Sequence, residues 1–241
     1  FNGLPFPRYD LLDLSFYAIS EAEAPRTLLK EAGLRLPMAS SRGCPFHCVF
    51  CYPQPKYRPL SSRRTVDHME HLLSLGATSV HTAEDCFNIN RERVLGICEE
   101  IHKRRLTLRW SARVRATTDR EELRALAQAG CYRLHVGLES FEDPVLSWLN
   151  KGKTANTNRR FCLLCRELGI EVMAYFVLGA PVETTAHRRQ LPEIVRELGI
   201  AYPYFNILYP LPYTSYYYSL LENGTYARDY WAEFALNPVP D

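Results

Sequence analysis

Apolar segments of strand length alternate along the chain with amphipathic segments of helix length. The predicted strands cover residues 35–40, 77–83, 107–113, 132–138, 170–178 and 203–208, and the predicted helices cover residues 63–75, 90–104, 119–129, 155–168, 186–198 and 215–223. Several helices end at a glycine, which favours the left-handed conformation of a helix C-terminus, and the next strand begins soon after. Six strand–helix units with short connections predict an α/β fold with a parallel sheet.

The segment 133–139 alternates strictly between polar or small and apolar residues. Its odd positions are Arg133, His135, Gly137 and Glu139, and its even positions are leucine or valine. A parallel strand that is buried on both faces has a continuous apolar sequence, so this alternation indicates a polar inner face that lines a wet or ligand-filled interior. Other strands repeat the pattern, with Arg109, Ser111 and Arg113 in the third, His81 and Asp85 in the second, and Tyr204 and Asn206 in the sixth.

The composition suits one globular core. The chain has 241 residues, of which 46% are hydrophobic, and its net charge is only +2. The charged residues of both signs are interspersed, so nucleic acid is not indicated as a partner. No apolar run reaches the roughly 18 residues that a membrane span needs. Eight cysteines in a chain of this size indicate a reducing compartment rather than a disulfide scaffold, so the sequence favours a cytoplasmic location.

Three cysteines, Cys44, Cys48 and Cys51, form a C-x3-C-x2-C motif. Three thiolates on one loop can bind three corners of a 4Fe-4S cluster, and no fourth cysteine lies near them in sequence. The open iron of such a cluster can bind a small molecule through its amine and carboxylate groups and pass it one electron. The alternative is a zinc site, but zinc requires four ligands and only His47 is near.

The remaining cysteines give weaker signals. Cys162 and Cys165 resemble a redox or second-cluster pair, yet they share one face of a predicted helix, where buried free cysteine is the commoner explanation. Cys86, Cys98 and Cys131 have no ligand-like spacing. The tyrosine-rich run 213–218 is compatible either with the floor of a substrate pocket or with an anchor for the last helix.

The cysteine motif, with Phe50 before its third cysteine and Ser-Arg-Gly ahead of it, resembles the signature of radical S-adenosylmethionine (SAM) enzymes. The resemblance covers most of residues 35–225 and implies a six-stranded (β/α)6 partial TIM barrel, with the cluster loop after the first strand and SAM across the carboxyl ends of the strands. Six segments resemble the branch that carries a cobalamin-binding domain: 82–87, 110–113, 137–140, 151–152, 176–184 and 212–214.

The resemblance also implies which residues bind the methionine end of SAM. Cys44, Cys48 and Cys51 are the expected cluster ligands. Glu84 or Asp85 is expected to meet the amino group, and Arg113 the carboxylate.

For the rest of the cofactor, Phe50 is expected to pack near the adenine, and Glu139 and Ser140 to take the ribose hydroxyls or the amino group. The turn from Gly179 to Glu183 is expected to let the backbone approach the adenosine closely. The alternative for Glu139 is a structural ion pair with Arg113 or Arg133. The family has proline-glycine-threonine after the sixth strand, where this chain has Pro-Tyr-Thr at 212–214.

Three regions are expected: an interdomain connector at 1–34, the radical SAM core barrel at 35–225, and an extension toward an absent domain at 226–241. The implied reaction is reductive cleavage of SAM to a 5'-deoxyadenosyl radical, with electrons from a donor such as flavodoxin or ferredoxin. The implied outcome is cobalamin-dependent methyl transfer, or a radical rearrangement or cyclisation, on a small molecule or peptide. The alternatives are a methylthiotransferase acting on RNA or protein, and a non-catalytic zinc or iron-sulfur module. No residue is assigned as a catalytic acid or base.

Overall fold

The computed structural model describes residues 2–19, 33–53 and 56–237. Its strands are β1 (Ala18–Ile19), β2 (Gly33–Met38), β3 (Ser41–Arg42), β4 (Arg58–Pro59), β5 (Ser79–Thr82), β6 (Trp110–Val114), β7 (Cys131–Glu139), β8 (Glu171–Leu178) and β9 (Tyr202–Ile207). The main sheet has the order β1-β2-β5-β6-β7-β8-β9. All neighbouring strands in it are parallel except β1, which is antiparallel to β2, and β3 and β4 form a separate antiparallel pair.

The helices are α1 (Ser62–Ser74), α2 (Arg91–Lys103), α3 (Arg120–Gln128), α4 (Asp143–Trp148), α5 (Ala155–Glu167), α6 (Thr185–Glu197), α7 (Ser215–Glu222) and α8 (Tyr230–Leu236). Each of them except α4 begins after a Ser, Thr, Asn or Asp whose side chain accepts a backbone N–H of the first turn. None of the helices in this part of the chain has the length and apolar character needed to cross a bilayer.

The six parallel strands curl into a half-barrel with helices on its outer face, so the predicted α/β partial barrel is confirmed. The even positions of β7, Leu134, Val136 and Leu138, are fully buried in the core between sheet and helices. Its odd positions therefore face the interior of the barrel, as the alternation predicts.

Several short elements were not predicted from the sequence, namely β1, β3, β4, α4 and α8. They are too short to show a hydrophobic period. In the third predicted strand, Arg109 precedes β6, and the register shifts between Trp110 and Ser111. Arg109 lies over the Tyr132 ring at 4.2 Å, so it departs from the predicted alternation.

The ends of the chain pack on the barrel where they are described. Phe6 stacks on His68 of α1 with ring centroids 4.6 Å apart, and Tyr217 of α7 donates a hydrogen bond to Asp229 before α8 at 2.6 Å. Tyr217 is buried, so it acts as an anchor within the tyrosine-rich run. Residues 1 and 20–32 of the predicted connector, and 238–241 of the predicted extension, lie outside the described residues.

Candidate active site

A cavity of about 260 Å³ opens at the carboxyl ends of the central strands. The loop after β3 and the segment after β5 line one side of it, and β6, β7, β8 and the segment after α4 line the other. The side chains that carry chemistry are Cys44, Cys48, Cys51, Asp85, Cys86, Arg113, Arg115, His135, Glu139, Lys151 and Tyr175. Loops at this edge of a parallel sheet are the usual place for a ligand site.

The cysteine loop is tied to two neighbouring parts of the fold. Val49 donates a backbone hydrogen bond to Leu149 O at 3.1 Å, and Tyr216 donates one to Val49 O at 3.0 Å. The side chain of Asn150 donates to His47 O at 2.7 Å. These three hydrogen bonds hold the backbone of the loop against its neighbours.

Positive charge surrounds one of the three loop thiols. Arg115 Nη1 lies 3.6 Å from Cys48 Sγ. The hydrogen bond between Cys48 and Cys51 lowers the pKa of Cys48 and raises that of Cys51, and the charges of Lys151 and Arg115 also lower the pKa of Cys48. Thiolate is the form of cysteine that binds metal, so this environment favours a ligand at Cys48.

A fourth thiol lines the same cavity. Cys86 is buried, and its Sγ donates to Asn88 Oδ1 at 3.5 Å. Burial first, and then the neighbouring Cys44, raise the pKa of Cys86 to about 11. The spacing of the cysteines in sequence gave no signal for Cys86, although it directly follows Asp85 in a segment that resembles the family.

The acidic pair after β5 is divided between two environments. Glu84 is buried outside the cavity lining and accepts hydrogen bonds from Ser40 N at 2.9 Å and Ser40 Oγ at 2.6 Å. Desolvation raises the pKa of Glu84. Asp85 lines the cavity and accepts a hydrogen bond from Gly43 N at 3.1 Å. Of the two, Asp85 is the carboxylate that can reach a ligand in the cavity.

Glu139 forms a buried ion pair in the cavity wall. Lys151 Nζ donates to Glu139 Oε1 at 2.7 Å. The expected alternative partners are wrong, because Arg133 is paired with Glu171 at 2.8 Å and no ion pair joins Glu139 to Arg113 in the part of the chain that is described. Glu139 has φ 63°, at a register shift between β7 and β8. Such backbone strain is typical of functional sites.

Two histidines and a tyrosine form the floor of the cavity and the barrel interior beneath it. His135 Nδ1 lies 3.2 Å from the Tyr175 hydroxyl, and the His135 ring is 4.7 Å from that of His81. His81 Nδ1 lies 2.9 Å from Ser111 Oγ. Burial and nearby charges lower the pKa of His81 to about 4 and that of His135 to about 3, so both rings are neutral.

Phe50 lines both this cavity and an adjoining one of about 400 Å³, formed with β8, β9 and the segment after β9. Glu139 lines both cavities as well, whereas Ser140, Gly179 and Glu183 lie outside both linings. Ser140 Oγ is 3.4 Å from His187 Nε2. Gly179 N donates to Glu183 Oε2 at 2.8 Å, and Glu183 also pairs with Arg188 at 2.7 Å.

The turn after β9 keeps a glycine-like conformation without a glycine. Tyr213 has φ 63°, in the left-handed region that favours glycine. The next residue, Thr214, is buried and caps α7. Tyr213 therefore holds a backbone conformation that glycine adopts more readily.

Cys162 and Cys165 lie away from the cavity on α5. Both thiols are free and buried, and burial raises the pKa of Cys162 to about 12. Within the described residues, no three His, Cys, Asp or Glu side chains come close enough together to hold a single metal ion.

Comparison with known proteins decides the family. A sequence model of the Radical SAM superfamily matches residues 38–195, which contain the cysteine loop and the cavity. The chain belongs to the radical SAM superfamily. Membership of this superfamily implies S-adenosylmethionine and a 4Fe-4S cluster as cofactors.

Relatives of this radical SAM chain include an uncharacterized methyltransferase, PH0819, of Pyrococcus horikoshii, with 26% identity over 99% of the chain and 51% of the relative. A bacteriochlorophyllide d methyltransferase of Chlorobaculum tepidum is 22% identical over 83% of the chain and 47% of the relative. The structure of the methyltransferase TsrM from Kitasatospora setae, with cobalamin and a [4Fe-4S] cluster bound, matches with a TM-score of 0.72 and 26% identity. That match covers 80% of this chain and 40% of TsrM, so the chain spans about half or less of each of these relatives.

Proposed function

We propose that this chain is the core of a radical SAM methyltransferase whose 4Fe-4S cluster is held by Cys44, Cys48 and Cys51. The observation that carries the proposal is the meeting of these three thiols with Arg115 and Lys151 in one cavity at the carboxyl ends of the strands. In a cluster each thiolate binds its own iron, so the thiols need not approach one another as closely as the ligands of one zinc ion do.

When bound, the cluster and SAM supply the electron transfer that breaks a carbon–sulfur bond of the sulfonium and yields a 5'-deoxyadenosyl radical. The protein's part is to bind and orient the two cofactors. Arg115 and Lys151 place positive charge beside the thiolate of Cys48, which offsets the negative charge of a thiolate-ligated cluster. The anchored cysteine loop would set the positions of the three residues that hold the cluster.

Asp85 and Arg113 are the proposed ligands for the two ends of the methionine group. The Asp85 carboxylate suits an ammonium and the Arg113 guanidinium suits a carboxylate, and both side chains line the cavity. Glu84 has a supporting role. It accepts hydrogen bonds from Ser40 N and Ser40 Oγ, and these fix the backbone just ahead of the cysteine loop.

Glu139, held by Lys151, is the proposed acceptor for the ribose hydroxyls, since it lies between the two adjoining cavities. Phe50 borders both cavities and offers its ring to the adenine. Ser140, Gly179 and Glu183 would then act by shaping the backbone around the adenosine rather than through the cavity wall itself.

Methyl transfer with cobalamin is the outcome that the relatives support. Two of the relatives reported above are named methyltransferases, and the solved TsrM structure holds cobalamin and a [4Fe-4S] cluster. The proposed substrate is a small molecule or peptide, and the electron donor a flavodoxin or ferredoxin. All eight cysteines are free thiols, which suits a reducing compartment.

Iron content tests the cluster assignment. After anaerobic reconstitution the chain should hold about four irons, and the Cys44→Ala/Cys48→Ala/Cys51→Ala variant almost none. The matched control is Cys162→Ala/Cys165→Ala, which should keep all four, because these thiols lie on α5 away from the cavity. About eight irons in the wild type, half of them lost in the control, would show that the pair on α5 holds a second cluster.

SAM binding tests the rest of the site. The cofactor should change the EPR signal of the reduced cluster, because its amine and carboxylate bind the open iron. Glu139→Gln should weaken SAM binding about ten- to a hundredfold through the loss of a charge-assisted hydrogen bond. An EPR signal that is indifferent to SAM would contradict the proposed function.

A further inference from the structure

The segment that carries the cysteine loop has a local excess of positive charge. Charges of both signs are interspersed over the chain as a whole, but residues 41–64 contain five lysines or arginines and no aspartate or glutamate. Four of these five side chains are exposed and make no ion pair with any residue that the structure describes. They are Arg42, Lys56, Arg58 and Arg63, and we call them the basic patch.

Two arginines of the basic patch face each other at the base of the cysteine loop. Arg42 in β3 is directly opposite Arg58 in β4 in the register of this antiparallel pair. Side chains at such positions lie on the same face with Cβ atoms about 4.5–5.5 Å apart, where like charges are destabilising. Arg42 is two residues ahead of Cys44, so their Cα atoms are at most about 7.6 Å apart. The repulsion therefore lies beside the residues that would hold the cluster.

The helix after β4 adds positive charge at an end where a helix disfavours it. The first turn of α1 contains Arg63 and Arg64 and no acidic residue. A helix N-terminus carries a partial positive charge, so cations there are unfavourable. This turn is joined to the start of the loop, because Leu60 N donates a hydrogen bond to Ser40 O at 2.8 Å. Two unfavourable placements of charge on one surface are typical of a site kept for function rather than for stability.

The cysteine loop reaches the protein surface between the two strands that carry the opposed arginines. Cys51 is exposed, and Tyr52, the next residue, is 45% exposed. Arg42 precedes this part of the loop and Arg58 follows it. A cluster held by the loop would therefore lie close to the surface and within the field of the basic patch. A positive surface attracts an acidic protein, orients it and speeds its association.

We propose that the basic patch is the docking surface for an acidic one-electron carrier protein. The proposal rests on the proposed function, which needs an electron donor, and names the surface that receives it. In the docked complex the carrier is oxidised by one electron as the cluster is reduced by one, and no bond between the two proteins forms or breaks. RNA is another polyanion that binds basic surfaces, but the position of the patch around the cysteine loop favours the carrier.

Carrier binding to the cluster-free chain tests this surface without any catalysis. The probe is a flavodoxin, an acidic carrier, immobilised for surface plasmon resonance, and a basic cytochrome c is the control carrier. Arg42→Gln/Arg58→Gln should weaken flavodoxin binding about three- to tenfold, mainly through slower association. The matched control, Arg160→Gln/Arg189→Gln, removes the same net charge from exposed positions on α5 and α6. Its affinity should stay within about twofold of wild type, since salt screens distant charges.

Urea unfolding of both double variants checks that they are folded, and the loss of two opposed like charges should leave the chain no less stable than the wild type. The inference is overturned if the two double variants weaken flavodoxin binding equally, or if cytochrome c binds as tightly as flavodoxin. It is also overturned if a single-stranded RNA binds the chain more tightly than flavodoxin does at the same salt concentration.

The same variants with a reconstituted cluster separate this inference from the proposed function. With reduced flavodoxin below saturation as the only reductant, Arg42→Gln/Arg58→Gln should slow reduction of the cluster about three- to tenfold. Reduced methyl viologen, a small cation, should reduce the variant at least as fast as the wild type. If methyl viologen supports cleavage of SAM and flavodoxin does not bind, this inference fails while the proposed function stands. If the cluster is reduced and SAM is not cleaved, the proposed function fails, and the binding experiment still decides whether the patch receives an acidic carrier.

Discussion

Lys151 Nζ lies 2.7 Å from Glu139 Oε1 in the wall of the cysteine-lined cavity, and their side chains are only 9% and 7% exposed. Removal of one member of such a pair leaves a buried charge without a partner. We therefore expect Lys151→Met to lower the free energy of unfolding by about 3–5 kcal/mol, and Lys151→Met/Glu139→Gln to recover much of that loss. Urea unfolding of the cluster-free chain measures both variants.

The exposed pair Arg196–Glu193 provides the control, with side chains 71% and 62% exposed. Arg196→Met should cost less than about 1 kcal/mol. If the Lys151 and Arg196 variants lose the same free energy of unfolding, a buried ion pair is no more sensitive to the loss of one partner than an exposed pair.

Gly137 leaves room for this ion pair. A Cβ at position 137 would lie 2.2 Å from Glu139 Oε1 and 2.9 Å from Lys151 Nζ. Gly137→Ala should therefore separate the pair and weaken SAM binding about tenfold or more, as expected for a lost charge-assisted contact. Equilibrium dialysis with the reconstituted chain measures the affinity. Gly3→Ala, where a Cβ meets nothing within 4 Å, should bind SAM normally.

The left-handed backbone conformation of Tyr213 lowers the stability of the fold. Its φ of 63° is unfavourable for any residue with a Cβ and worst for a β-branched one, while its side chain is 65% exposed. We expect Tyr213→Val to lower the free energy of unfolding by about 1–2 kcal/mol, and Tyr213→Gly to leave it unchanged or raise it slightly. Thermal unfolding of the wild type and the two variants ranks their stabilities. A valine variant as stable as the glycine variant would contradict the strained turn.

The neutral histidines predict how stability depends on pH. Burial lowers the pKa of His81 to about 4 and that of His135 to about 3, whereas both are near 6.5 in an unfolded chain. Below about pH 6.5 the unfolded state therefore binds more protons than the folded state. The free energy of unfolding then decreases as the pH falls from about 6.5 to about 4. His135→Gln should reduce this slope by about 1.4 kcal/mol per pH unit.

Urea unfolding of the cluster-free chain between about pH 7 and about pH 5 gives the slope. The exposed His102, changed to Gln, serves as the control. If both variants keep the wild-type slope, His135 is not held neutral by the fold.

Cys86 tests whether three cysteines suffice for the cluster. Its Sγ lines the same cavity but already donates a hydrogen bond to Asn88 Oδ1 at 3.5 Å, and the family's motif contains only Cys44, Cys48 and Cys51. We expect Cys86→Ser to keep about four irons per chain and its response to SAM. A marked loss of iron, seen by colorimetric assay, would make Cys86 a fourth ligand.

The sequence was informative where a residue's role follows from its neighbours along the chain. The alternation at 133–139 correctly placed His135 and Glu139 on the inner face, and the family resemblance implied a cysteine loop after the first strand of the barrel. Lys151 was not assigned a role, because its contact with Glu139 depends on the register shift in β7 and on the short helix α4. Neither has a periodic signal in sequence.

The neighbours Glu84 and Asp85 show the same limit. Both are acidic and follow the same strand, so sequence alone could not divide their roles. Ser40, just after β2, donates hydrogen bonds to Glu84, which lies outside the cavity lining. Asp85, the next residue, lines the cavity. The difference arises from tertiary packing, which local propensity does not encode.

The hydrogen bonds that join the cysteine loop to Leu149, Asn150 and Tyr216 have a consequence for how the loop is ordered. In small zinc domains the metal supplies the free energy that orders the chain around it. Here hydrogen bonds to residues beside α4 and in α7 contribute to the order of the loop, so a cluster would not be the sole source of that order. We therefore expect a chain without iron to keep these hydrogen bonds, so that the loop would be partly ordered before a cluster binds.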